Sequence, residues 1–152
     1  MPKKVSEMIF KNEAQLKSFL LKKSQNALIK AQEKVYKILD LYMQRFYADY
    51  DPVLYERTYQ LMKSLVKSDI KINGNEIKAE VYFDLGYIYE SGANPSGESV
   101  MSQAAYGGHG ASGLKVVYGG GEDVWFTPLE ILDAEAIGIL KNMLISEGIP
   151  IK

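Results

Sequence analysis

The chain has 152 residues, 47% hydrophobic and 24% charged, with a net charge of −1: one domain of ordinary globular composition, long enough to bury roughly 70% of its unfolded surface. It has no cysteine, which excludes disulfides, thiolate metal sites and cysteine nucleophiles, and no apolar run approaches the roughly 20 residues of a membrane span. The charge is unevenly placed, with ten Lys/Arg against five Asp/Glu in residues 1–50 and eight against fourteen in residues 51–152.

The opening MPKKVSEMIF is too short and polar to act as a secretory signal, so synthesis in a reducing cytoplasm is expected. Asn12 followed by Glu13 reads as a helix N-cap with an acidic first turn. From there to Tyr50 the chain contains neither Gly nor Pro. Leu16, Phe19, Leu20, Ala27, Leu28, Ala31, Val35, Ile38, Leu39, Tyr42 and Phe46 recur at helical spacing. A long helix over 12–50 follows; the alternative is a break near Lys22–Asn26, where the apolar stripe is interrupted. A helix of this length must protrude or pack against another chain.

Asp51-Pro52 ends it, because proline lacks the N–H and disfavours helix at the residue before. A short helical turn is expected over Leu54–Leu61. Residues 64–84 read as a β-hairpin. Leu65, Val66, Ile70 and Ile72 lead into Asn73-Gly74, a type I′ turn signal. Beyond it Ile77, Ala79, Val81 and Phe83 alternate with Lys78, Glu80 and Tyr82, a half-buried strand with one face to the core.

Residues 91–121 hold nine of the thirteen glycines. The glycine-rich loop is placed at 91–113 and a strand region at 114–126, with LKVVY and Val124–Phe126 as its strands. Thr127-Pro128 reads as an N-cap with proline at the first helical position. A C-terminal helix is expected over 128–147, with Gly148 just beyond its end. The class is α+β: a long N-terminal helix, an antiparallel sheet of three or four strands with an Asn-Gly hairpin, and a C-terminal helix packed on the sheet, all in a single domain of residues 1–152.

The chemistry is sparse. His109 is the only histidine; Ser112 lies nearby, but no strand–GxSxG–helix elbow surrounds it, and zinc sites need several such ligands. The plain reading is an exposed loop histidine. Gly108-x-Gly110-x-x-Gly113 fits GxGxxG, yet a strand-like segment follows it and not the helix N-terminus that would hold a phosphate. Glu122-Asp123 beside a glycine run is a solvated pair. No catalytic residue, metal or cofactor is therefore assigned, and no enzyme activity is expected.

The eleven tyrosines offer large contact area with a polar tip, which suits interfaces. Candidate contacts with a neighbouring copy or partner are Tyr89, Tyr106, His109 and Trp125 around the loop, and Lys22, Lys23 and Lys30 on the helix. The lysines have two further readings: a merely solvated face, or a basic surface for nucleic acid.

Tyr55-x-Arg57-Thr58-x-x-Leu61-x-x-Ser64, following the acidic-proline turn, resembles a recurring segment of tail-component and tail-completion proteins from the head–tail joining region of tailed phages. With the order of elements, the resemblance covers about residues 10–148. It implies an α+β domain, a homo-oligomeric ring at the neck or tail end of the virion, contacts with neck, connector or tail-tube proteins, and no enzymatic role. Under it Arg57 forks onto Asp49 or Asp51 and Thr58 satisfies a backbone group near the turn. The competing reading is a nucleic-acid-binding module using the basic helix. Near-zero net charge and the lack of an aromatic–basic motif argue against nucleic acid as a specific ligand.

Overall fold

The computed structural model describes residues 9–48, 60–84, 86, 108–109, 116–117 and 127–151. The long helix α1 runs unbroken over Glu13–Ala48, about 54 Å at 1.5 Å per residue, so the break near Lys22–Asn26 does not occur. Asn12 caps it: its Oδ1 accepts the N–H of Gln15 at 2.9 Å, satisfying a donor that the first turn leaves orphaned. The Gln15 side chain in turn accepts the N–H of Lys11 at 3.0 Å, a variant of the capping box. Just before the cap, Phe10 folds back onto Phe19 with ring centroids 5.3 Å apart.

Helix α2 (Gln60–Lys63) is a single turn; the remainder of the turn expected over 54–61 lies outside the described residues. It delivers the chain through buried Ser64 into β1 (Leu65–Lys67). Strands β2 (Lys71–Asn73), β3 (Glu76–Lys78) and β4 (Val81–Phe83) follow. β1 pairs with β4 and β2 with β3, both antiparallel, as two separate two-stranded ladders. The expected sheet of three or four strands is thus a folded-back ribbon.

The ribbon changes register once. Ser68 faces Glu80 in step with the β1–β4 ladder, while Lys71 faces Lys78. Asp69 and Ile70 therefore stand against Ala79 alone, a two-against-one β-bulge that bends and twists the ribbon. The turn is also shifted from its expected centre. Asn73 pairs with Glu76, so the two-residue loop is Gly74-Asn75, and Gly74 takes φ +61°. Glycine supplies that left-handed conformation without a Cβ clash.

Within residues 91–126 the described backbone is β5 (Gly108–His109) paired antiparallel with β6 (Val116–Val117). His109 thus sits in a short strand opposite Val116, where a plain loop was expected. The LKVVY strand is borne out at Val116–Val117, while Val124–Phe126 lies outside the described residues.

Helix α3 spans Thr127–Ser146 and closes in a Schellman motif. The N–H of Ile149 donates to the carbonyl of Leu144 at 3.0 Å, and that of Gly148 to Ile145 at 2.9 Å, with Gly148 at φ +89°. The expectation placed this helix on the sheet; it packs chiefly on α1. The reason lies in α1, whose apolar residues extend round more than one side. One side seats α3 and another carries the ribbon. Ala27, Ala31, Leu39, Met43, Leu65 and Ile139 form the buried apolar core among the described residues. Alanines at 27 and 31 keep the α1 surface low there, so a neighbouring element can approach closely.

Candidate functional site

Three polar junctions fix the surfaces that this fold presents. The first ties the ribbon to α1. In an antiparallel ladder, facing residues of a hydrogen-bonded pair exchange both N–H···O=C bonds. Ser68 and Glu80 make only one: the N–H of Ser68 donates to the carbonyl of Glu80 at 2.9 Å. The N–H of Glu80 goes instead to the Ser68 hydroxyl at 2.9 Å, and that hydroxyl donates to the carbonyl of Asp69 at 3.0 Å. The carbonyl of Ser68 is thereby released. Gln32, in the middle of α1, fills it: its Nε2 donates to Ser68 at 2.9 Å and to Glu80 at 2.8 Å. One side-chain amide holds both strands at the point where the bulge begins.

The second junction ties the end of α3 to α1. Glu147 follows the last helical residue and is only 8% exposed. A carboxylate at a helix C-terminus meets the negative end of the helix dipole, and a buried charge requires partners. Three come from one face of α1: the ammonium groups of Lys23, at 3.3 Å, and of Lys30, and the amide of Asn26 at 3.4 Å. The Lys30 hydrogen bond in particular holds the Glu147 carboxyl below the usual range, against the opposing effect of burial.

The third is exposed. Lys67 of β1 reaches Glu33 of α1 and lies 4.9 Å from the centre of the Tyr36 ring. Its hydrogen bond lowers the Glu33 pKa. On the ribbon, Lys78 and Glu80 pair at 2.8 Å in solvent, which raises the lysine pKa and lowers that of the glutamate.

The tip of the ribbon lies along the first turns of α1. Asn75 and Ile77 share a groove of about 450 Å³ with Glu13, Leu16, Lys17, Leu20, Leu21 and Ser24. Among the described residues no group of three or more His, Asp or Glu is arranged to hold a metal ion, and no helix is long and apolar enough to cross a membrane.

The candidate residues fall into three sets. Of the recurring segment, Tyr55, Arg57 and Thr58 lie outside the described residues. Leu61 is in α2, and Ser64 is fully buried with its carbonyl accepting the N–H of Asp84 at 2.7 Å. Of the loop contacts, Tyr89, Tyr106 and Trp125 lie outside the described residues, and His109 contributes backbone to β5. Of the lysines, Lys22 is exposed, while Lys23 and Lys30 meet on Glu147 of the same chain. Gln32, Ser68 and Glu147 were not anticipated. An acid at a helix C-terminus is itself a signal, since it is unfavourable there unless cations face it.

The family model described as YomN matches residues 12–121, from the cap of α1 through the ribbon to the glycine run after β6. No curated protein and no solved structure matches the chain.

Proposed function

The chain belongs to the YomN family, a phage-associated one, and from that premise we propose that it is a structural virion-assembly protein of a tailed phage or prophage. It acts at the head–tail interface or tail end, as a tail-completion or neck component, in a ring of its own copies. Synthesised in the host cytoplasm, it is carried into the virion by contacts with neck, connector or tail-tube proteins. The role needs no bond-making chemistry.

The observation that carries this reading is the incomplete cover of the two main helices. α1 is flanked by α3 and the ribbon, yet Ile29 and Leu41 remain 44% and 47% exposed. Ile137 and Ile145 of α3 are exposed as well. Single exposed apolar residues are ordinary, but several on two packed helices suit a part that finishes its burial against neighbours. The pairing of Lys23 and Lys30 with Glu147, and of Lys67 with Glu33, counts against the nucleic-acid reading, because it occupies cations which that reading would use.

Light scattering across a range of protein concentrations, at low and moderate salt, tests the proposal together with co-purification of connector or tail proteins from the same phage. A defined oligomer, or a protomer that joins those proteins, is the expected result. A chain that does neither, and instead binds DNA at sub-micromolar concentration with steep salt dependence, overturns it.

A further inference from the structure

We infer that the outer face of α3 is covered by the same face of a second copy, packed antiparallel about a two-fold axis. The inference goes beyond the ring reading. A contact between identical patches closes at two copies, so ring contacts use other surfaces, such as those around Ile29 and Leu41 of α1, which stay exposed.

Of the twenty residues of α3, only Glu130, Asp133, Glu135 and Lys141 carry charge. A helix that is apolar round most of its circumference is normally buried on more than one side. Here Ile139 alone is buried among the described residues of the helix, while Ile137 is 74% exposed. Glu130, Ala134, Ile137, Lys141 and Ile145 recur at spacings of three and four residues, so they share one side, and all are exposed. Asp133 and Glu135 lie on the flanks of that strip.

The order of residues along the strip selects its occupant. Glu130 and Lys141 are eleven residues apart, about 16 Å along the helix axis, which is too far for them to pair with each other. Among the described residues neither has an ion-pair partner. Their midpoint falls between Glu135 and Ala136, and Ala134 and Ile137 share that midpoint. An antiparallel copy centred there sets Glu130 against Lys141 of the second copy, and Ile137 against Ala134 of the second copy. The two-fold axis repeats both matches. The small alanine gives the isoleucine room, and the two helix dipoles oppose. A parallel pair would instead set Glu130 against Glu130 and Lys141 against Lys141, like charge against like. The strip is therefore complementary to itself in one direction only.

Light scattering across concentration at low salt reads the contact, because one helix from each copy makes a small interface that dissociates on dilution. Thermal melts establish that the variants fold. Lys141→Glu sets acid against acid at both ends of the pair, and Glu130→Lys sets base against base. Each is expected to raise the concentration of half-dissociation about tenfold, an effect that added salt removes. An equal mixture of the two variants recovers the parent value, and so does one chain carrying both changes, since each restores an acid–base match at both ends. The chain has no cysteine, so cross-linking reads the direction. Glu130→Cys and Lys141→Cys are expected to join by a disulfide when mixed and not when alone; disulfide dimers of either alone overturn the antiparallel arrangement. If the parent associates and the charge variants keep its dissociation concentration, the contact lies elsewhere, and the inference fails while the ring reading stands. If a dimer with these responses forms, grows no further and joins no connector or tail protein, the inference holds and the ring reading fails. A parent that is monomeric at every concentration overturns the inference, and co-purification then decides the virion reading.

Discussion

Glu80 donates its backbone N–H to the hydroxyl of Ser68, at 2.9 Å, although the Ser68 carbonyl is the partner that an antiparallel ladder would assign. The substitution frees that carbonyl for Gln32 and lets the ribbon change register without stranding a polar group.

Gln32→Ala removes the amide that serves two carbonyls. Glu80 keeps the N–H of Ser68, but the Ser68 carbonyl loses Gln32. A loss of about 1–3 kcal/mol in urea unfolding is expected, the usual cost of a part-buried polar group left unsatisfied. Gln32→Glu should be worse at neutral pH, where a carboxylate faces two carbonyl oxygens, and should recover as the pH falls and the acid regains a donor. A Gln32→Glu variant as stable as the parent at pH 7 would contradict this account of the junction.

Glu147 supplies the pH dependence. Its folded pKa lies below the ordinary 4.5, chiefly through Lys30. The stability it contributes is present in full above the ordinary value and is lost as pH falls through the lower folded value. The melting midpoint should therefore drop as the pH falls below the ordinary value, and Glu147→Gln should flatten that drop. At pH 7 the same variant should cost about 1–3 kcal/mol, because two ammonium groups lose their carboxylate while Asn26 keeps an acceptor. Exposed Glu33 and Glu80 have lowered pKa values too, but solvent screens such surface pairs.

Two glycines should respond in opposite directions to alanine. Gly74 holds φ +61° with no atom within 4 Å of an added Cβ, so Gly74→Ala meets backbone strain alone, about 1 kcal/mol. Gly138 lies inside α3 and an added Cβ there also meets nothing, so Gly138→Ala should stabilise by about 0.5–1 kcal/mol through helix propensity. Chemical denaturation of the two variants checks both signs.

Met43 is 1% exposed, the largest fully buried apolar side chain among the described residues. Met43→Ala should cost about 2–5 kcal/mol, the transfer and cavity cost of a core truncation. Leu41→Ala, two residues away at a position 47% exposed, should stay within about 1 kcal/mol of the parent in the monomer. Equal effects would mean that this stretch of α1 is seated differently.

Much of this was readable along the chain because its causes are local. Asn12 caps α1 and Gly148 closes α3 because each acts within one turn of its own position. The absence of Gly and Pro from 13 to 48 permits one continuous helix. Alternation through Ile77 and Phe83 marks strands with one half-buried face. The turn was found but centred one residue early, since Asn-Gly and Gly-Asn signals overlap in Asn73-Gly74-Asn75 and only pairing decides between them.

The sequence by itself therefore determined the α+β class, the order of the elements, the residue that begins α1 and the one that closes α3, all set by backbone sterics and hydrogen bonds within a few residues. Tertiary structure alone decided that α3 lies on α1, that the ribbon slips register at Asp69-Ile70, and that Gln32 and Glu147 become joints. Those outcomes depend on groups separated by 12 to 124 residues. A buried carboxylate or an orphaned carbonyl takes whichever partner the packing brings within about 3 Å, and no local pattern encodes that distance.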